Sequence, residues 1–322
     1  MSIVVTGGAG FIGSCIVRRL NETGRSDIII VDNIAATDKW MNLRNKKYTA
    51  YIHKSRFLEA LPDMDDVEVI IHMGAQSSTK ERDFDYLWEN NVAYTRALWD
   101  YCSRRQIRFL YASSAATYGD GSAGFDDRCG IDRLMPLNAY GYSKQAFDLW
   151  VEHQAEVFPK QYAGFKFFNV YGPNEYFKQE MASMVFHGYR QLCRDGEIRL
   201  YCSCRPEYAD GGQMRDFVYV KDVCNVLMWF LEHPDRSGLF NVGTGQAGSF
   251  AQLAEAVFHA LGKKTRIRYV KMPEQIRDRY QYYTQADIHK LREAGYTAEF
   301  MDLTAGVRDY VRQYLEKGFA VY

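Results

Sequence analysis

The chain has 322 residues, and its 40 basic side chains balance its 40 acidic ones. With 47% hydrophobic and 25% charged residues it reads as an ordinary globular protein of one large domain or two intimate ones. Neutrality excludes general nucleic-acid binding, which needs a basic surface to displace counterions, and no run approaches the roughly 18 apolar residues of a membrane span.

The start, "MSIVVTGGAG", lacks the basic and long apolar parts of a signal peptide. Ile3 to Val5 predicts a short buried strand, and Phe11 to Leu20 a helix ending near Gly24. Between them lies Gly7-Gly8-Ala9-Gly10-Phe11-Ile12-Gly13, spaced GxxGxxG. Gly7, Gly10 and Gly13 let backbone approach a pyrophosphate, and the helix N-terminus supplies N–H donors and a favourable dipole. Ile28 to Val31 predicts a second strand, closed by Asp32 and Asn33. A carboxylate there accepts hydrogen bonds from an adenosine ribose and repels a 2′-phosphate, which favours NAD. Lys39, seven residues on, could reach such a phosphate, so the residues leave NAD against NADP open.

Strands are predicted at Val67 to His72, Arg108 to Ala112 and Tyr162 to Asn169, and helices at Tyr86 to Arg104 and Tyr140 to Phe158. This alternation predicts a Rossmann-like, doubly wound parallel α/β sheet over residues 1–172. Beyond it the rhythm loosens, with helices at Val223 to Glu232 and Phe250 to Leu261 and a loop from Arg205 to Gln213. Residues 173–322 read mainly as a smaller C-terminal α/β substrate-binding domain, with parts returning to the first. The seven cysteines form no CxxC pair, and Cys202-Ser203-Cys204 has no histidine cluster beside it, so no metal site is expected. Scattered thiols suit a reducing, cytoplasmic setting.

Two stretches carry chemistry. In "YGYSK", Tyr140 and Lys144 are four apart and share a helix face. A phenol is a poor base at neutral pH, but a nearby ammonium and a cationic nicotinamide favour its phenolate, making Tyr140 a proton shuttle. Tyr162 and Lys166 have the same spacing in a predicted strand, where four residues span about 13 Å, and are a decoy. Tyr142 lacks a partner at the fourth position and reads as packing or pocket wall. Ser114 follows the Arg108 to Ala112 strand, where parallel sheets build sites, and can donate to a substrate oxygen.

These stretches, with "FNVYGP" (Phe168 to Pro173), "RDFVYVKDV" (Arg215 to Val223) and "FNVGTG" (Phe240 to Gly245), resemble the extended short-chain dehydrogenase/reductase family over most of the chain. The resemblance implies that Ser114, Tyr140 and Lys144 are catalytic and that the C-terminal region binds a nucleotide sugar. Ser114-Ala115-Ala116 lacks the acid of the family's 4,6-dehydratases. The runs Asn169 to Lys178, Met181 to Ser183, Arg279 to Gln281 and Thr284 to Asp287 are similar to its epimerases. Such an enzyme oxidises a secondary sugar alcohol transiently and returns the hydride to the other face. That requires a second acid/base, which the resemblance assigns to Lys178.

The resemblance further implies cofactor contacts from Phe11, Ile12, Asp32, Asn33, Lys39, Lys54, Asn90, Val170, Lys144, Lys178 and the loop Met73-Gly74-Ala75-Gln76-Ser77. NADP is the implied cofactor, with NAD as the alternative. Substrate contacts are implied for Ser114, Asn169, Glu180, His187, Tyr201, Cys202, Ser203, Cys204, Arg215 and Tyr280. Arg215 suits a pyrophosphate, which a guanidinium binds bidentately. Glu180 departs from a small hydroxyl residue and Met73 from a more polar one, and the Arg205 to Gln213 loop is an insertion. The implied partners are a nucleotide-sugar substrate and copies of the chain itself, as a pentamer. Rival readings are another nucleotide-sugar epimerase or reductase, such as a UDP-galactose 4-epimerase, and a non-catalytic dinucleotide-sensing regulator.

Overall fold

The structure, a computed structural model, describes every residue except Gln154, Asp278 and Arg279, and only the backbone of Gln275 and Ile276. Arg279 of the Arg279 to Gln281 run therefore lies outside the described residues. In chain order the first elements are β1 (Ser2–Thr6), α1 (Phe11–Glu22), β2 (Ile28–Asp32), β3 (Ala50–His53), α2 (Lys54–Ala60) and β4 (Val67–His72). Next, α3 (Phe84–Leu87) runs through a π turn at Trp88–Ala93 into α4 (Tyr94–Arg105), followed by β5 (Arg108–Ser114), α5 (Ala139–His153) and β6 (Tyr162–Phe167). Then come β7 (Asn169–Tyr171), α6 (Met184–Asp195), β8 (Ile198–Tyr201), β9 (Met214–Tyr219) and α7 (Val220–Glu232). After them lie β10 (Gly238–Val242), β11 (Ala247–Ser249), α8 (Phe250–Ala260) and β12 (Ile267–Val270).

Seven strands form one parallel sheet in the order β10-β6-β5-β4-β1-β2-β3. The apolar runs of β1 and β4 explain it. Side chains alternate faces along a strand, so a strand covered on both sides must be apolar throughout. Ile3, Val5, Val69 and Ile71 join one core with α1 and α7, while Val4 and Ile70 join another with Leu98, Trp99 and Phe147. Burying one such side chain contributes about 1.5–3 kcal/mol. Two smaller sheets, β11-β9-β7 and β12-β8, carry the rest of the second half. No helix among the described residues is long and apolar enough to cross a membrane.

Several elements differ from expectation. β3 alternates between half-buried and exposed at the sheet edge, so no apolar run announces it. The strand expected from Tyr162 to Asn169 breaks at Phe168, whose N–H donates to Val242 O while its ring enters a separate cluster with Tyr118. The helix expected to reach Phe158 stops at His153; Phe158 turns back to pack edge-on against Trp99. β10, unseen in the sequence, returns from the second half to extend the main sheet beside β6.

The turn from β1 into α1 depends on close backbone approach. Gly7 has φ +66°, and a Cβ there would lie 2.7 Å from the amide nitrogen of Gly74 beyond β4. A Cβ on Gly13 would lie 2.1 Å from the Gly7 carbonyl oxygen. Gly13→Ala should therefore lower the unfolding free energy by about 1–3 kcal/mol, read from urea unfolding; an unchanged midpoint would show that the turn relaxes freely.

Candidate active site

Strand order reverses between β1 and β4, and ligands of open parallel sheets bind at that point beyond the strand ends. A cavity of about 710 Å³ lies there. Its walls include Gly7, Gly10, Phe11, Ile12 and Gly13 from the first turn, Asp32, Asn33, Lys39 and Lys54 beyond β2 and β3, and Met73 to Ser77 beyond β4. Asn90, Ser114, Tyr140, Lys144, Asn169, Val170 and Lys178 complete it. The glycine cradle, with α1 opening towards the cleft, fits a dinucleotide pyrophosphate.

At the β2 end the Asp32 carboxylate is already occupied. It accepts from Ala9 N at 2.9 Å, from Asn33 N at 2.7 Å and from the Lys39 ammonium at 2.6 Å. The ion pair offsets the charge that alone would repel a 2′-phosphate. Lys54 bonds Asn90 Oδ1 on the same cleft, and burial together with the Lys39 charge pulls its ammonium below the ordinary range.

The loop after β4 is held by groups invisible to motif reading. Buried His72 bonds Thr6 Oγ1 at 2.6 Å and Thr95 Oγ1 at 3.0 Å. Burial pushes its imidazole down to about 3, so it stays neutral. Buried Asn91 donates to Gln76 O and to Ser143 Oγ, each at 2.9 Å, and accepts from Gln76 N at 2.9 Å. Ser143 in turn donates to Tyr140 O at 2.7 Å, so one amide fixes the loop to α5. The π turn supplies this geometry by placing Asn90 on the cleft wall and burying Asn91 behind it.

Tyr140 and Lys144 stand one turn apart on α5 and both face the cleft. Burial pushes the Tyr140 phenol above its ordinary value, and the Ser114 side chain opposes that shift. Lys144 is 5% exposed, donates to Ala112 O at 2.9 Å, and is pulled down to about 8 by burial against the opposing Asp148 charge. Tyr142 is packing and not pocket wall: it is 48% exposed, its ring lies tilted against Phe84 at 5.6 Å between centres, and it is absent from the cleft lining. Lys166 is buried away from the cleft and pairs with Asp148 at 3.1 Å.

Lys178 sits on a tight turn, Tyr176–Met181, with its ammonium 5.3 Å from the Phe11 ring centre. Burial lowers its proton affinity and neighbouring Glu175 opposes that. Fully buried Glu175, which the sequence reading missed, accepts from Ser183 N and Ser183 Oγ, each at 2.6 Å, and pins this turn to the start of α6.

Eight of the expected substrate residues lie off this cavity wall. Glu180 is exposed and paired with Lys80, and His187 is half-buried on α6. Tyr201, Cys202, Ser203, Cys204, Arg215 and Tyr280 form a neighbouring aromatic-rich surface. There the Arg215 guanidinium lies 5.4 Å from the Tyr280 ring and 5.7 Å from Phe250, which does line the cleft. Arg215 is 7% exposed and donates to Met214 O at 2.8 Å and to Gln281 O.

Residues 3–243 match the model of the NAD dependent epimerase/dehydratase family. A relative from Nitratidesulfovibrio vulgaris (strain DP4), named ADP-L-glycero-D-manno-heptose-6-epimerase, is 51% identical over 97% of each chain. One of the same name from Fusobacterium nucleatum is 48% identical over 98% of each. The crystal structure of the Helicobacter pylori ADP-L-glycero-D-manno-heptose-6-epimerase superposes with a TM-score of 0.81 at 27% identity, covering 97% of this chain and 95% of that one.

The depressed Lys144 ammonium has a signed consequence. It is protonated below about 8 when folded but below the ordinary 10.5 when unfolded, so between these values the unfolded chain binds more protons. Its contribution to stability should therefore rise with pH through that window, by up to about 1.4 kcal/mol per unit. Urea unfolding of the cofactor-free protein against Lys144→Met measures it; parallel pH profiles would show Lys144 titrating normally.

Proposed function

Because the chain belongs to the NAD dependent epimerase/dehydratase family, we propose that it is an isomerase converting ADP-D-glycero-β-D-manno-heptose to ADP-L-glycero-β-D-manno-heptose by inversion at C6″. Full-length likeness to enzymes named for that reaction is the observation that carries the reading. A cleft lined by Tyr140 and Lys178, two titratable side chains on different elements, supports it. The product would serve lipopolysaccharide inner-core synthesis.

A tightly bound nicotinamide dinucleotide supplies acceptance and return of a hydride, so no net redox occurs. We assign its pyrophosphate to the glycine loop and α1 N-terminus, and its ribose to Asp32 and Asn33. NADP is the proposed form, since Lys39 already covers the Asp32 carboxylate and Lys54 adds a second ammonium. Lys144 would bond the nicotinamide ribose. Tyr140, one turn from that ammonium, takes the C6″ hydroxyl proton on one face while Ser114 donates to the same oxygen. C6″ is secondary, so the oxidised sugar is a ketone, and the other face needs its own proton donor. Lys178, whose ammonium is made more acidic by burial, fills that role. Asn169, Glu180, His187, Tyr201 to Cys204, Arg215 and Tyr280 are proposed to hold the nucleotide sugar, with Arg215 on the pyrophosphate. Residues 1–172 would mainly hold the dinucleotide and 173–322 the sugar, in a cytoplasmic homo-oligomer, a pentamer.

Incubating ADP-D-glycero-β-D-manno-heptose with the enzyme and following C6″ by NMR tests the reading; retained stereochemistry would overturn it. Tyr140→Phe should lower turnover at least about a hundredfold, and Lys178→Met by the same order in single-turnover assays. Near-normal turnover in either would remove that residue from proton transfer. Mass analysis of dinucleotide released by denaturation should find NADP, and NAD would mean that Asp32 dominates.

A further inference from the structure

Behind the cleft lies a buried ion pair that none of these steps uses. Asp148 on α5 and Lys166 on β6 are each 1% exposed, and neither lines the cavity. The Asp148 carboxylate accepts from Lys166 Nζ at 3.1 Å, Ser113 Oγ at 2.6 Å and Tyr111 OH at 3.3 Å. Lys166 also donates to Thr117 Oγ1 at 2.7 Å, and Thr117 donates to Ser114 O at 2.8 Å. Its ammonium lies 5.1 Å from the Tyr118 ring centre. Ser113 and Lys166 are register partners across β5 and β6.

Desolvating two charges is costly, so replacing such a pair by apolar side chains is often neutral or stabilising. Stability alone therefore does not account for this one. Its placement does. It ties together β5, which carries Ser114, α5, which carries Tyr140 and Lys144, and β6, which leads through Phe168 into β7 and Asn169. Asp148 also follows Lys144 by four residues, so the two share a helix face.

We propose that Asp148 and Lys166 are positioning residues for the reaction: they lock β5, α5 and β6 in register and set a buried negative charge one helical turn behind the Lys144 ammonium. The proposal rests on the reading of Tyr140 and Lys144 given above. The other groups facing Lys144 add no opposing full charge. Burial pushes the Tyr140 phenol on α5 towards its uncharged form, His72 at the end of β4 is held neutral, and β5 offers the Ala112 carbonyl and the serine hydroxyls. Lys166 on β6 acts through Asp148, drawing off part of its field.

The two residues should thus move the Lys144 titration in opposite directions. In Asp148→Asn the ammonium loses its anion and deprotonates about one pH unit lower. In Lys166→Met the unshared carboxylate holds the ammonium more strongly, and the titration moves up. Asp148→Asn/Lys166→Met should fall near Asp148→Asn while restoring the melting temperature. The titration is read by NMR of Cε-labelled lysine in the protein as purified, with Lys144 assigned by the signal lost in Lys144→Met. In parallel, the alkaline limb of kcat should shift with it, costing Asp148→Asn about tenfold in turnover one unit above the wild-type midpoint. Unmoved titrations, or shifts in the same direction, would overturn the proposal and leave the pair a packing feature. Should Lys166→Met fail to fold, Asp148→Asn and the double variant decide it. The NMR reading does not need the sugar, so failure of the epimerase reading appears separately, as wild-type protein that titrates as expected but leaves C6″ unchanged.

Discussion

Backbone must touch backbone where β1 and β4 end, and the rest of the site follows from that contact. Neither Gly7 nor Gly13 has room for a Cβ. With the turn this tight, α1 begins close to the sheet edge and presents its free N–H groups to the cleft. The same turn is the anchor of the far wall. The amide of buried Asn42 donates to Ala9 O at 3.0 Å and to Asn174 O at 3.1 Å. Asn174 leads directly into Glu175 and the turn bearing Lys178. A short polar bridge thus carries the geometry of the glycine loop to the opposite side of the cavity.

Low polarity then does two jobs. Tyr140, Lys144 and Lys178 are all shifted towards their uncharged forms, and burial is the leading cause for each. Burial moves the two kinds of group in opposite directions, making the phenol a weaker acid and each ammonium a stronger one. Full desolvation would silence the ammonium groups altogether. Buried carboxylates limit that: Asp148 faces Lys144, and Glu175 faces Lys178. Lys144 and Lys178 each have an acid behind them, one on the same helix and one at the start of the same turn.

What could be read from the sequence was local. β1, β2, β4 and β5 carry apolar stretches on both faces because helices cover both sides of the sheet. Tyr140 and Lys144 declare themselves because one helical turn joins them, and the glycine loop because strand and helix flank it. Non-local features stayed hidden. β3 alternates as an edge strand, and β10 is defined by pairing with β6 rather than by its own pattern. Asn91 differs from its neighbour Asn90 only through the π turn that buries it. Lys166 lies on a strand, which removes it from the tyrosine–lysine pattern, yet it meets Asp148 across a strand and a helix. Tyr142 has a motif position but points away from the cleft. The substrate side was the least legible, since Glu180 sits beyond a kink at Gln179, with φ 49° and ψ −124°, that turns it outward to Lys80.

The return of β10 to the main sheet bears on how such an enzyme can diversify. The edge strand beside β6, and α7 packed on α1, both come from beyond residue 172. The two halves are therefore not modules. A fragment ending near residue 172 would expose the β6 edge and the apolar face of α1, so the second half cannot be exchanged as a cassette. New specificity has to be written into the loops between shared strands, such as the Arg205 to Gln213 segment between β8 and β9, while the interleaved core is inherited whole.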